Sequence, residues 1–243
     1  ADAVKNYTEA VSLDPKDPAY LVGRAGAYLE AGRGDDALRD ANAALALNPN
    51  YADGLKVRAL AFARTFDYAK SLDDSDEYLR RNSNPPADAY ATRALALLHM
   101  KRYAEAVDDY SRAARMDSTK GEYVAGKAEA LKDAGQYREA IAAVEKALNM
   151  MGRRIELLRL RGDCYVLNNQ LDDAIKDYEA VASISPAKEN LVRTADVAMK
   201  ANQFNMANYY YTKALEIDPK DTRIKTLKEL ANKNVASKAV VIS

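Results

Sequence analysis

Cysteine is nearly missing from this chain of 243 residues: Cys164 stands alone, and His99 is the single histidine. One thiol cannot close an internal disulfide, and one Cys with one His cannot supply the several ligands of a zinc site, so no metal is expected. A surplus of charge is missing too, since 36 Lys and Arg balance 36 Asp and Glu. A general nucleic-acid binder needs a basic excess to displace counterions, and attraction to anionic lipids needs the same. No apolar run approaches the roughly 18 residues that cross a membrane as a helix. Neither nucleic acid nor direct membrane insertion is therefore expected. No signal-peptide pattern opens the chain, and that absence with the lone cysteine leans toward the cytoplasm while leaving the compartment open. Glycine-rich phosphate loops are absent, and no Ser or Cys stands in a nucleophile context for His99. No cofactor and no catalytic residue are expected, and the chain does not read as an enzyme. The acidic pairs Asp35–Asp36, Asp108–Asp109 and Asp172–Asp173 read as helix N-terminal charges or ion-pair partners rather than as an acid/base couple.

Glycine and proline are sparse, at 10 and 7 residues, and the composition is rich in helix formers. A phrase recurs. Ala3, Ala37, Ser71, Ala106, Ala140, Ala174 and Ala207 form a column of small residues with gaps of 34, 34, 35, 34, 34 and 33. Seven residues on lies a second column: Ala10, Ala44, Tyr78, Ala113, Ala147, Val181 and Ala214. Between them stand Tyr7, Ala41, Ser75, Tyr110, Val144, Tyr178 and Tyr211, and a helix stop follows at Pro15, Pro49, Ser83, Ser118, Gly152, Pro186 and Pro219. Residues at i, i+4 and i+7 share one helical face. Small ones let another helix approach closely. That other helix is written upstream in each unit, as in "LVGRAGAY" from Leu21 and "YATRALAL" from Tyr90. The turns between the two read "AGRG", "AGQY" or "NNQL", with Gly suited to a left-handed helix end.

Two helices per 34-residue unit resemble the tetratricopeptide repeat. The resemblance implies an all-α, right-handed solenoid of helix-turn-helix repeats, about 6.5 of them, with a C-terminal capping helix. The units are 1–17 (a second helix without its first), 18–51, 52–86, 87–120, 121–154, 155–187 and 188–221, then a cap at 222–235 and a tail at 236–243. The 52–86 unit is degenerate. It carries Ser71, Ser75 and Tyr78 at signature places and one extra residue before Pro85–Pro86, so a local change of pitch is expected after it. Tyr7 and Val11 are expected to lack part of their packing. The tail, "SKAVVIS", is β-prone, and either disorder or pairing with another chain is expected of it. Cys164 falls in a column otherwise filled by Ala27, Ala61, Ala96, Ala130 and Val197, which predicts a buried thiol.

A charge ladder runs through the units. Arg24, Arg58, Arg93 and Arg161 each have an Asp sixteen residues later: Asp40, Asp74, Asp109 and Asp177. The units with Lys127 or Thr194 instead have Ala143 or Tyr210, and so lack both partners together. The covariation predicts four Arg–Asp pairs, each joining the two helices of one repeat.

The family resemblance implies a concave groove lined by the first helices. The early wall is small and apolar around Val22, Leu29, Leu60 and Leu95, with Lys56, Arg64 and His99 beside them. The later wall holds Glu129, Lys132, Arg159, Asp163, Asp196 and Lys200. An extended peptide or helix of a partner is expected there, apolar where it meets the early units and basic where it meets the late ones. The best-known ligand of the family, an acidic chaperone C-terminus held by a two-carboxylate clamp, is not expected. The clamp's first Asn is replaced by Gly26, Leu60, Leu95, Glu129, Asp163 or Asp196. A protein-interaction scaffold is the leading reading. The recruitment or regulatory arm of a larger enzyme or co-chaperone is one alternative. A self-assembling module, forming a homo-oligomer through its exposed terminal repeat, is the other.

Overall fold

A computed structural model describes residues 2–242, with side chains described to residue 236. Fourteen α-helices and no strand are found among the described residues. They are α1 (Asp2–Leu13), α2 (Pro18–Glu30), α3 (Gly34–Leu47), α4 (Ala52–Arg64), α5 (Tyr68–Arg81), α6 (Ala87–His99), α7 (Tyr103–Met116) and α8 (Gly121–Asp133). There follow α9 (Tyr137–Met151), α10 (Ile155–Leu167), α11 (Leu171–Ile184), α12 (Lys188–Lys200), α13 (Phe204–Ile217) and α14 (Thr222–Ile242). The helices group into two compact units, residues 1–134 and 135–243. Among the described residues no helix is long and apolar enough to cross a membrane. The cap expected at 222–235 runs on as helix to Ile242, where the sequence predicts a β-prone tail from 236; the side chains of residues 237–243 lie outside the described residues.

Two kinds of turn alternate, and each is written locally. From first to second helix the chain passes through one left-handed residue. It is glycine at Gly32 and Gly135, but Phe66, Lys101, Asn169 and Asn202 elsewhere, with φ between 57° and 65°. The next amide reaches back five residues, as in Arg33 N–H to Tyr28 O at 2.8 Å and Arg102 N–H to Leu97 O at 2.8 Å, which closes a Schellman turn. At most turns from second to first helix an Asx side chain takes over. Asp14, Asn48, Asp117 and Asp218 each accept from the amide two residues on, at 3.1–3.3 Å. These Asx residues stand immediately before Pro15, Pro49, Ser118 and Pro219, so the helix stop is an Asx turn followed by its breaker.

The small columns lie where the paired helices touch. Ala37, Ser71, Ala106, Ala140, Ala174 and Ala207 are fully buried, as are Ala44, Ala113, Ala147 and Ala214. The opposing helices present Ala25, Ala94, Ala128 and Ala195, also at 0% exposure. Tyr110, Tyr178 and Tyr211 fill the space between. Gly126 shows how tight the fit is: a Cβ there would sit 2.5 Å from the Tyr110 ring. Cys164 is buried at 0%, as its column requires. By contrast α1 buries nothing, and Ala3 is exposed where Ala37 is not. The degenerate α5 takes its large residue in: Tyr78 packs with Leu45, Leu55 and Ala89.

All four ladder pairs form, with bidentate geometry. In each, Arg Nε donates to Asp Oδ2 at 2.6–2.8 Å and Nη2 to Oδ1 at 2.7–2.9 Å. The ladder does more than the spacing foretold. Arg58 also donates to Asn42 at 3.2 Å, Arg93 to Asp76 at 2.9 Å, and Arg161 lies 3.9 Å from Glu145. Each of these arginines thus ties its own hairpin to the second helix before it. The Asp109 hydrogen bond, then Asp76, raises the affinity of Arg93 for its proton.

Two outcomes follow from this packing. Asp109 is 6% exposed, and Asp109→Asn removes the charge that compensates Arg93, which should cost about 2 kcal/mol in urea unfolding; an unchanged midpoint contradicts the ladder. Ser71 and Ser75 are buried with hydroxyls that find no partner. Ser71→Ala should therefore stabilise the chain, by about 1 kcal/mol, whereas a lower midpoint would mean the hydroxyl is satisfied.

Candidate peptide-binding face

In the unit of residues 1–134 the first helices α2, α4, α6 and α8 touch one another in order. Their partners α3, α5 and α7 cover one side of them, so the residues pointing the other way stay accessible. Val22, Leu29, Lys56, Leu60, Leu95 and Lys132 are half-buried, and Arg64, His99 and Glu129 are exposed. A Cβ on Gly26 would meet nothing within 4 Å, so this turn of α2 faces open space. Ala63 and Leu98, three residues on from Leu60 and Leu95, are by contrast buried at 4%. On this side α2, α4 and α6 offer the aliphatic Val22, Leu29, Leu60 and Leu95, with Lys56, Arg64 and His99 beside them. Lys56 lies 3.7 Å from Asp88 on α6, which holds its charge to one side of that strip.

In the unit of residues 135–243 the corresponding positions on α10 and α12 are polar and largely engaged. Tyr178 Oη donates to Asp163 at 2.5 Å, and Arg193 lies 3.0 Å from the same carboxylate. Tyr211 Oη donates to Asp196 at 2.6 Å. Arg159 donates to the buried Asn190 at 2.7 Å, and Asn190 in turn donates to Ser185 O. Asp163 and Asp196 are therefore fixed in direction by Tyr178 and Tyr211 of the second helices, and Arg159 by Asn190 of the next first helix, α12. Lys200 is exposed and makes no hydrogen bond or ion pair among the described residues. The phenol bonds were not anticipated, although a signal existed. Asp163–Tyr178 and Asp196–Tyr211 share a spacing of fifteen, and the hairpin with Tyr110 has Leu95 at that place and no bond.

No cluster of three or more His, Cys, Asp and Glu able to hold a metal occurs among the described residues. A cavity of about 230 Å³ between α5, α6 and α7 is lined by Asp76, Arg93, Leu97, Arg102, Glu105, Asp108 and Asp109. Most of those charges are already spent on one another, in Arg93–Asp109, Arg93–Asp76 and Arg102–Glu105 pairs. His99 stacks flat on Tyr68, with ring centroids 4.0 Å apart.

Burial first, and then the bond to Asp163, raises the Tyr178 phenol above its ordinary value; burial and Asp196 do the same for Tyr211. A folded-state pKa above the unfolded one stabilises fully below about pH 10, and that stability is lost as pH rises through the folded value. The unfolding midpoint should accordingly fall above about pH 10. Tyr178→Phe with Tyr211→Phe should flatten the fall and cost about 1 kcal/mol per bond at neutral pH. An alkaline limb of unchanged slope in the double variant would contradict the bonds.

A tetratricopeptide repeat profile matches residues 1–52, 27–84 and 126–189, and a second such profile matches residues 87–120. The tetratricopeptide repeat and J domain-containing co-chaperone DNJ1 of Cryptococcus neoformans is 25% identical over 89% of this chain and 37% of its own length. The human DnaJ homolog subfamily C member 7 is 25% identical over 91% of this chain and 50% of its own. The chain thus spans half or less of these relatives. The crystal structure of YrrB, a TPR protein with an unusual peptide-binding site, has a TM-score of 0.60 at 16% identity, over 76% of this chain and 94% of that one. With profile matches over most of its length and the same two turns repeating from hairpin to hairpin, this chain belongs to the tetratricopeptide repeat family.

Proposed function

We propose that this chain is a protein-interaction scaffold whose first-helix faces hold a segment of a partner polypeptide. One observation carries the reading: none of the thirteen groove positions read from the sequence is buried, whereas the columns on the opposite side of the same helices are closed to solvent. The accessible strip on α2, α4 and α6 offers Val22, Leu29, Leu60 and Leu95 to an apolar stretch. Exposed Glu129 on α8, and exposed Glu156 and Glu189 on α10 and α12, suit basic residues of a partner. The peptide-binding description of YrrB supports a polypeptide ligand for this fold. No catalytic step is assigned to the chain.

A second reading rests on the relatives. Two of them are a J domain-containing co-chaperone and a DnaJ homolog, and both are at least twice as long as the part matched here. On that reading the chain is the client- or partner-recruiting arm of a co-chaperone. A third, self-association through α1, is supported by the exposure of Ala3.

Peptides selected by display against the wild-type chain test the first reading. Leu60→Asp with Leu95→Asp should weaken them at least about tenfold, or 1.4 kcal/mol. Glu156→Lys with Glu189→Lys, both in the unit of residues 135–243, should weaken basic peptides and spare neutral ones. Affinities unmoved by both double variants would remove the groove reading.

A further inference from the structure

Phe66 is out of place. It occupies the left-handed position of the α4–α5 turn with φ 65°, where the other turns use Gly, Asn or Lys. A bulky side chain is strained there, and glycine would relieve the strain. Its ring is also 77% exposed, so the fold draws little from burying it. A strained and solvated aromatic that the core does not need points to a role outside the fold.

Phe66 does not stand alone. Its ring meets Tyr68 edge-on at 6.3 Å, and Tyr68 stacks on His99 at 4.0 Å. Met100, next to His99 in the α6–α7 turn, is 42% exposed. Phe66, Tyr68 and His99 thus form a run of rings at the turn end of two neighbouring hairpins, with Met100 exposed next to it in the chain. The charges around it are unbalanced. Asp67 is taken up by Lys70 at 2.7 Å, and Glu105 by Arg102 at 2.6 Å. Arg64 and Lys101 are exposed and have no carboxylate partner among the described residues. The unneutralised charge on this edge is therefore positive.

We propose that Phe66, Tyr68, His99 and Met100 form a second docking edge, which shares His99 and Arg64 with the wall of the first helices but not its aliphatic strip, for a partner segment that carries a bulky apolar side chain among acidic residues. The apolar side chain would lie against the aromatic edge, as hot-spot anchors do. Its acidic neighbours would face Arg64 and Lys101, and so complement the one sign of charge left open.

Short labelled peptides with a single Phe, Leu or Trp among Asp and Glu test this by fluorescence anisotropy on the full chain. Companion peptides carry Ser at the apolar place or Lys at the acidic places. The parent peptides should bind, and the companions should bind at least about tenfold more weakly. Phe66→Gly keeps the left-handed turn and relieves its strain. It should therefore weaken binding about tenfold while leaving the melting temperature unchanged or higher, which separates lost docking from lost folding. Arg64→Glu with Lys101→Glu should weaken binding and abolish its salt dependence. Leu60→Asp with Leu95→Asp should leave this binding intact whether or not the first-helix strip also binds a partner. The proposal is overturned if no parent peptide binds, if the Ser companions bind equally, or if Phe66→Gly stays within about twofold of wild type. It is overturned as well if sedimentation shows a wild-type self-association that Phe66→Gly abolishes, since the occupant is then a second copy of the chain.

Discussion

Close approach of paired helices across small residues is the constraint on which the rest of this structure depends. Ala37, Ala106 and Ala207 are closed to solvent where they meet a neighbouring helix, and a Cβ on Gly126 would collide with the Tyr110 ring of the hairpin before it. A hairpin this thin has no interior of its own. It buries its apolar face only against the next hairpin, which is why the pattern must repeat. The same geometry fixes which way every other side chain points. With one side of each first helix sealed, the remaining side is left to solvent or to a partner.

Polar contacts then fix what apolar packing leaves loose. Alanine columns alone would let helices slide. A bidentate Arg–Asp pair tolerates little sliding, and Arg58, Arg93 and Arg161 reach a second helix as well. The two phenol–carboxylate bonds serve the same end around α10 and α12, and they also decide which carboxylates remain free to meet a ligand. Asp163 and Asp196 are held by Tyr178 and Tyr211, whereas Glu129 is not hydrogen-bonded. Acidic residues equal in sequence are therefore unequal in availability.

The hairpins, their turns, the buried Cys164 and all four Arg–Asp pairs were legible in the sequence, because each is repeated at fixed spacing and the units lacking one partner lack the other. The second contact of the arginines was not. Its partners differ in kind, being Asn42, Asp76 and Glu145, and the extra residue before Pro85–Pro86 shifts the spacing of the middle one from sixteen to seventeen. Contacts between hairpins therefore leave no single column to read. For the candidate face the spacing offers positions, but it does not say which of their groups are already engaged. Ala63 and Leu98, beside Leu60 and Leu95, are buried, and the phenols hold two acids. Phe66 was missed for another reason: a left-handed backbone at a bulky residue breaks the local rule by which turns are recognised.

The central claim is that sealing the second helices against the first leaves the first helices to receive a polypeptide. Hydrogen–deuterium exchange of the whole chain, free and saturated with a display-selected peptide, tests it most directly. The account predicts slowed exchange in α2, α4 and α6, or in α10 and α12, with α3, α5, α7, α11 and α13 unchanged. Protection confined to those second helices would contradict it.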